Sequence, residues 1–80
     1  MSDEMRIRRL AETIARDFEL TIKDRTDAIL QLSASAEANL GTDSTIAEKK
    51  KVKSDNKYLY KLIRQFNETD GNLLLNHIDS

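Results

Sequence analysis

The chain has 80 residues, of which 34% are charged and 39% hydrophobic, and its formal net charge at pH 7 is −1. It contains no cysteine, which excludes disulfide bonds and cysteine-based zinc sites, and its apolar runs are too short for a signal peptide or a membrane span. We therefore expect one small, soluble, cytoplasmic domain over residues 1–80, whose single core supplies only a few kcal/mol of net stability.

An apolar stripe organises the first half of the chain. Its members follow each other at three- and four-residue steps, apart from one seven-residue gap, which is the period of one helical face. They are Ile7, Leu10, Ala11, Ile14, Phe18, Ile22, Ile29, Leu32, Ala36 and Leu40. Acid–base pairs at i,i+4, such as Glu4 with Arg8 and Glu12 with Arg16, indicate that the opposite side faces water.

The continuity of this helix depends on the segment 20–27. Several residues there are β-branched, and Thr21 or Thr26 is suited to start a new helix. The stripe nevertheless keeps its phase across the segment, and neither proline nor glycine interrupts it. The pattern favours one long helix over residues 3–40. The alternative is two helices broken in this segment, which would give a monomeric three-helix bundle.

A second helix is predicted after a short turn. Gly41 is placed to cap the end of the first helix. Thr45 with Glu48 has the spacing of a capping box, and Asp43 or Ser44 is the alternative cap. The second helix should then run to about Asn67, and the short turn makes it antiparallel to the first. Its apolar face comprises Val52, Leu59, Leu62, Ile63 and Phe66, with Asn56 between them.

The two predicted helices differ in length, so part of the first is left uncovered. Pairing outward from the turn places Ile29 near Asn56 and Phe18 near Phe66, beyond which the second helix ends. Residues 67–72 are predicted to form a turn, with Gly71 available for positive φ, before a short apolar C-terminal helix.

The predicted fold is therefore all-α: an antiparallel helical hairpin with a long N-terminal helix, a second helix and a short C-terminal helix. The C-terminal helix could cover residues 7–14 within the same chain. We instead expect dimerisation to complete the bundle, because one hairpin leaves too much apolar surface in water. The residues predicted to supply this homodimer or partner contact are Ile7, Leu10, Ile14, Leu73, Leu74, Leu75 and Ile78.

Charge is distributed unevenly along the chain. Residues 1–44 carry six basic and nine acidic side chains, whereas residues 45–80 carry seven basic and five acidic ones. A basic face recurs at three- and four-residue steps opposite the second apolar stripe: Lys50, Lys53, Lys57, Lys61 and Arg64. Such a face suits the phosphates of a nucleic acid or an acidic protein partner. The simpler interpretation is a solvated helix face, which the slightly acidic overall pI of about 5.8 favours.

The sequence predicts no catalytic residue, metal site, cofactor or small-molecule substrate. His77 is the only histidine and stands apart from any set of residues at ligand spacing. We therefore expect a non-enzymatic interaction or regulatory protein that acts through protein–protein contacts and has no membrane partner. Nucleic-acid binding through the basic face is the alternative.

Overall fold

A computed structural model describes residues 6–41 and 43–78, and these residues form four α-helices and no strand. The helices are α1 (Arg6–Ala15), α2 (Ile22–Ala38), α3 (Ile46–Phe66) and α4 (Glu68–Ile78). The prediction of an all-α fold is confirmed. Within this described part, no helix combines the length and the apolar character needed to cross a membrane.

The predicted long first helix is wrong, because the chain turns at residues 16–21 and separates α1 from α2. In this turn the Asp17 amide donates to the Ile14 carbonyl, three residues earlier, at 3.1 Å. A bond between residues three apart is of the 3₁₀ type and closes a tighter turn than the α-helical bond between residues four apart. Thr21 then caps α2: its backbone is extended, and its Oγ1 accepts from the Asp24 amide at 3.0 Å. Folding back buries apolar surface of α1 within the same chain, which a straight helix leaves in water.

Replacing the cap Thr21 by alanine should lower the free energy of unfolding by about 1 kcal/mol, because the Asp24 amide then loses its acceptor. Urea denaturation measures the change. Thr13→Ala is the matched control, since Thr13 lies exposed within α1 and bonds only the Arg9 carbonyl in its own helix. Its effect should stay within about 0.5 kcal/mol, and equal losses in both variants would contradict the capping role.

Side-chain contacts establish how the first three helices are oriented. Moving along α1, first Arg8 contacts Asp55 and then Glu12 contacts Tyr58, so α1 and α3 run parallel. The contacts between α2 and α3 instead run in opposite directions along the chain. They are Glu37 with Asn56, Ser33 with Tyr60, and Thr26 with Asn67.

The predicted register between these helices is wrong by about two turns. Asn56 bonds Glu37 at 2.9 Å, whereas pairing outward from a tight turn placed Ile29 beside it. α2 ends at its C-cap Asn39 and α3 begins at Ile46, close to the predicted positions, so the shift means that the first turns of α3 extend past the end of α2. The predicted cap Gly41 does not act as one and has no positive φ. The capping of α3 by Thr45 is confirmed.

α4 folds back along α3 after a single non-helical residue, Asn67. Gly71 lies beside Arg64, and Ile78 lines a cleft together with Val52 and Lys53, towards the other end of α3. The predicted turn over residues 67–72 is therefore wrong in extent, and Gly71 is a helical residue without positive φ. Glycine is needed here for close packing, because a Cβ would come closer than 3.0 Å to the backbone of Arg64.

The resulting fold is a flat body with a small core, and its Cα atoms extend over 39 × 33 × 16 Å. α3 contacts each of the other three helices, whereas α1 and α4 do not contact each other in the described residues. The buried apolar side chains are Ala11, Ile29, Leu59, Leu62, Ile63 and Leu75. Several polar side chains are also buried, so polar contacts contribute to joining the helices.

Candidate interaction surfaces

The structure divides the predicted contact residues between two separate helices. On α1, Ile7 and Ile14 pack against the core, while Leu10 remains 45% exposed. The uncovered helix end that motivated the interface prediction is therefore absent, because the turn brings α1 back onto α2 and α3.

The α4 members of the predicted interface are similarly distributed. Leu75 is buried, Leu74 packs against the core, Ile78 is half-buried, and Leu73 remains 63% exposed. Because α1 and α4 do not touch, Leu10 and Leu73 belong to different surfaces. The seven predicted residues do not form one patch.

A buried guanidinium joins α1, α2 and α3 at the turn. Arg25 is only 8% exposed, and its Nε and Nη1 donate to the carbonyls of Leu20 at 3.2 Å and Ala15 at 3.4 Å. Its Cζ also lies 5.4 Å from the ring centre of Phe18 and 5.1 Å from that of Phe66. Arg25 thus binds a carbonyl at the end of α1 and packs between two aromatic rings.

We call Phe18, Ile22 and Arg25 the α1–α2 corner. Phe18 is 83% exposed and Ile22 49% exposed, although the sequence stripe predicted both to be covered. Sequence reasoning also missed Arg25. The signal was the seven-residue gap between Ile22 and Ile29, because the gap contains Arg25 and Thr26, the buried polar residues of this face.

A cleft of about 350 Å³ opens beside the corner. The rings of Phe18 and Phe66 line it together with Arg16, Arg25 and Gln65. Aromatic and arginine side chains are the residue types enriched at protein interfaces, because they combine a large apolar area with hydrogen-bonding capacity. Glu12 lines the cleft as well, so the cleft presents aromatic surface together with side chains of both charges.

A polar seam joins α1 to α3. Asp55, only 4% exposed, accepts from Arg8 Nε at 2.8 Å and from Lys51 Nζ at 2.9 Å. Arg8 also donates to Ser54 at 3.2 Å and lies over the ring of Tyr58, 4.9 Å from its centre. The side of α1 predicted to face water is thus partly an internal contact surface.

The seam continues with Tyr58, whose hydroxyl donates to the carboxylate of Glu12. This hydrogen bond, followed by burial and the negative charge of Glu12, raises the pKa of Tyr58, while Arg8 and Arg16 act in the opposite direction. A raised pKa means that the neutral phenol is the form favoured by the folded chain. The resulting stability is complete below pH about 10 and is lost as the pH rises through the folded-state pKa.

We expect the unfolding free energy to fall more steeply above pH 10 in the wild type than in Tyr58→Phe, which has no phenol at this position. Denaturant titrations at several alkaline pH values measure the difference. The ultraviolet titration of Tyr60→Phe reports Tyr58 alone, since the chain has two tyrosines. A midpoint at the ordinary tyrosine value in that variant would contradict the contact with Glu12.

The basic face of α3 is only partly open. Lys50, Lys53, Lys61 and Arg64 are exposed and Lys57 is half-buried. α4 runs along one side of the face, where Gly71 packs on the backbone of Arg64. The structure therefore keeps four of the predicted cations accessible but borders them with a helix.

His77 lies exposed on α4. Within residues 6–41 and 43–78, no group of three or more histidine, cysteine, aspartate or glutamate side chains is placed to hold a metal ion. No family model, curated protein or solved structure matches the chain.

Proposed function

We propose that the protein is a non-enzymatic interaction protein of regulatory type that acts through protein–protein contacts at the α1–α2 corner. The observation that carries this proposal is the ring of Phe18, which is 83% exposed and lies 5.4 Å from the guanidinium carbon of Arg25. Exposing an aromatic ring to water is unfavourable for the isolated chain, and covering the ring with a partner is favourable. An aromatic ring beside an arginine is also typical of the residues that dominate binding energies.

We further propose that one such partner is a second copy of the chain, which gives a homodimer. A two-fold interface presents the same patch twice, so an exposed apolar corner is opposed by its own equivalent. Phe18 and Ile22 would form its centre. Of the residues predicted from the sequence, Leu10 and Leu73 keep enough exposed area to contribute to this or another contact.

Sedimentation equilibrium from low micromolar to near-millimolar concentration tests the proposal. We expect the apparent mass to rise towards that of a dimer, and Phe18→Ser to raise the dissociation constant at least about tenfold. Thr13→Ser is the control, because it changes an exposed side chain within α1. A wild-type chain that stays monomeric throughout would overturn the homodimer.

Nucleic-acid binding through the basic face is a second candidate, supported by the exposure of Lys50, Lys53, Lys61 and Arg64. Titration with a short duplex at two salt concentrations tests it. Binding should weaken steeply with salt and decrease further in the double variant Lys53→Glu, Lys61→Glu. Lys23→Glu on α2 is the matched control. The absence of binding at low salt would eliminate this candidate.

A further inference from the structure

We infer that the α1–α2 turn is a hinge, and that α1 of each copy in the dimer docks on α2 and α3 of the other copy. This inference rests on the proposed self-association and specifies its geometry. It identifies the partner of the α1 docking surface as a second copy of the chain, and it assigns a role to the exposed corner.

The hinge residues are compatible with a continuous helix. Residues 16–21 contain neither glycine nor proline, and Ile14, Phe18 and Ile22 follow each other at four-residue steps. The turn itself is maintained by local bonds, such as that from the Leu20 amide to the Asp17 carbonyl at 3.1 Å. Straightening it into a helix would replace these bonds with helical ones and would carry α1 away from its own core.

The docking surface left by α1 is specific for another α1. Asp55 and Tyr58 on α3 receive Arg8 and Glu12, and Ala11 is the buried residue of α1. A second copy supplies the same positive and negative groups at the same spacing, so the charges match without any new contact. Exchange of an identical element therefore restores in the dimer the contacts that Arg8, Ala11 and Glu12 make with α3, whereas the Arg25 bonds to the turn carbonyls are lost when the hinge straightens.

The exposed corner makes the exchanged dimer more favourable than two closed monomers. In the structure Phe18 and Ile22 are 83% and 49% exposed, on the outside of a bend. In a straightened hinge they join Ile14 on one helical stripe, as the sequence pattern predicts. The two hinge helices of an exchanged dimer lie side by side, and each stripe then covers the other. The dimer thus buries two aromatic rings that the monomer leaves in water.

A matched pair of substitutions at Glu19, an exposed hinge residue, tests the helical hinge. Glu19→Ala and Glu19→Gly both keep the amide that donates to Asp17, but glycine is several-fold less favourable in a helix. Each dimer contains two hinges, so we expect the dissociation constant of the glycine variant to exceed that of the alanine variant about tenfold. Equal constants, measured by sedimentation, would overturn the helical hinge.

Charge complementation tests the exchange itself. Arg8→Glu and Asp55→Lys each place like charges in the seam of a single chain. When the two variants are mixed, only an exchanged dimer pairs the introduced glutamate with the introduced lysine and also keeps one native contact between Arg8 and Asp55. We expect the mixture to dimerise and to melt higher than either variant alone, including when each variant is unfolded by itself.

The outcomes separate the two proposals. A wild-type dimer whose variants show no gain on mixing would overturn the exchange and leave self-association standing. A wild-type chain that sediments as a monomer at every concentration would overturn self-association, and the exchange with it. In a control mixture, Lys51→Glu takes the place of Asp55→Lys beside Arg8→Glu. If the rise in melting temperature on mixing disappears there, the rise is assigned to the Arg8–Asp55 contact.

Discussion

Replacing Gly71 by alanine is expected to lower the free energy of unfolding by about 2–3 kcal/mol. The added Cβ would meet Arg64 Cα, Cβ and N at less than 3.0 Å, and two of these are backbone atoms that cannot rotate away. α4 must therefore move off α3, and the buried side chain of Leu75 moves with it. Urea denaturation followed by circular dichroism measures the loss.

Gly41→Ala provides the control for this prediction. Gly41 has no positive φ, and a Cβ there would meet only the Asp43 amide at 3.9 Å, an ordinary contact. Its substitution should be neutral or stabilising by up to about 1 kcal/mol, because alanine restricts the unfolded chain. If both glycine variants lower the free energy of unfolding equally, the close packing of α4 on α3 is not the reason for the loss in the Gly71 variant.

Replacing Arg25 by alanine is the second substitution with a large expected effect, a loss of about 3 kcal/mol. It removes two hydrogen bonds to the turn carbonyls and the packing of the guanidinium between Phe18 and Phe66. No carboxylate in residues 6–41 and 43–78 forms an ion pair with Arg25, so the loss does not leave an orphaned negative charge. Thermal and urea unfolding both measure this effect.

Two further substitutions identify the origin of the Arg25 effect. Arg25→Lys keeps the positive charge but lacks the planar guanidinium, which can donate hydrogen bonds and stack on aromatic rings at the same time. Its free energy of unfolding should therefore recover less than half of the loss seen with alanine. Lys23→Ala, at an exposed position two residues away, should change stability by no more than about 0.5 kcal/mol. Full recovery by lysine would show that charge alone matters at this position.

Local signals in the sequence were enough to locate α3. Thr45 was expected to cap its start, with Asp43 or Ser44 as the alternative, and the helix was expected to end near Asn67. The structure has Thr45 as N-cap and Asn67 as C-cap. Such predictions succeed because a cap depends on side chains and amides within three residues of each other. The helical character of the chain follows in the same way from its apolar periods.

The features that determine the tertiary fold could not be predicted from such local signals in the sequence. The break before Thr21 leaves the apolar phase unchanged, so the apolar pattern alone does not distinguish a bent path from a straight one. The bent path is favoured by the covering of α1 and by the Arg25 bonds to the turn carbonyls. The role of Gly71 depends on Arg64, with which it packs only because the chain reverses at Asn67. Arginine is usually a surface residue. Arg25 is buried because the turn brings two backbone carbonyls and two aromatic rings around its guanidinium.

The central position of α3 has a consequence for the order in which the structure opens. Because every other helix packs on α3 in a body only 16 Å thick, the loss of any one neighbour still leaves α3 flanked by the remaining two. Its amide protons around Leu59 should therefore exchange with deuterium most slowly, through global unfolding alone. The amides of α1, which buries only Ala11 completely, should exchange first, through a local opening that leaves the rest of the molecule folded.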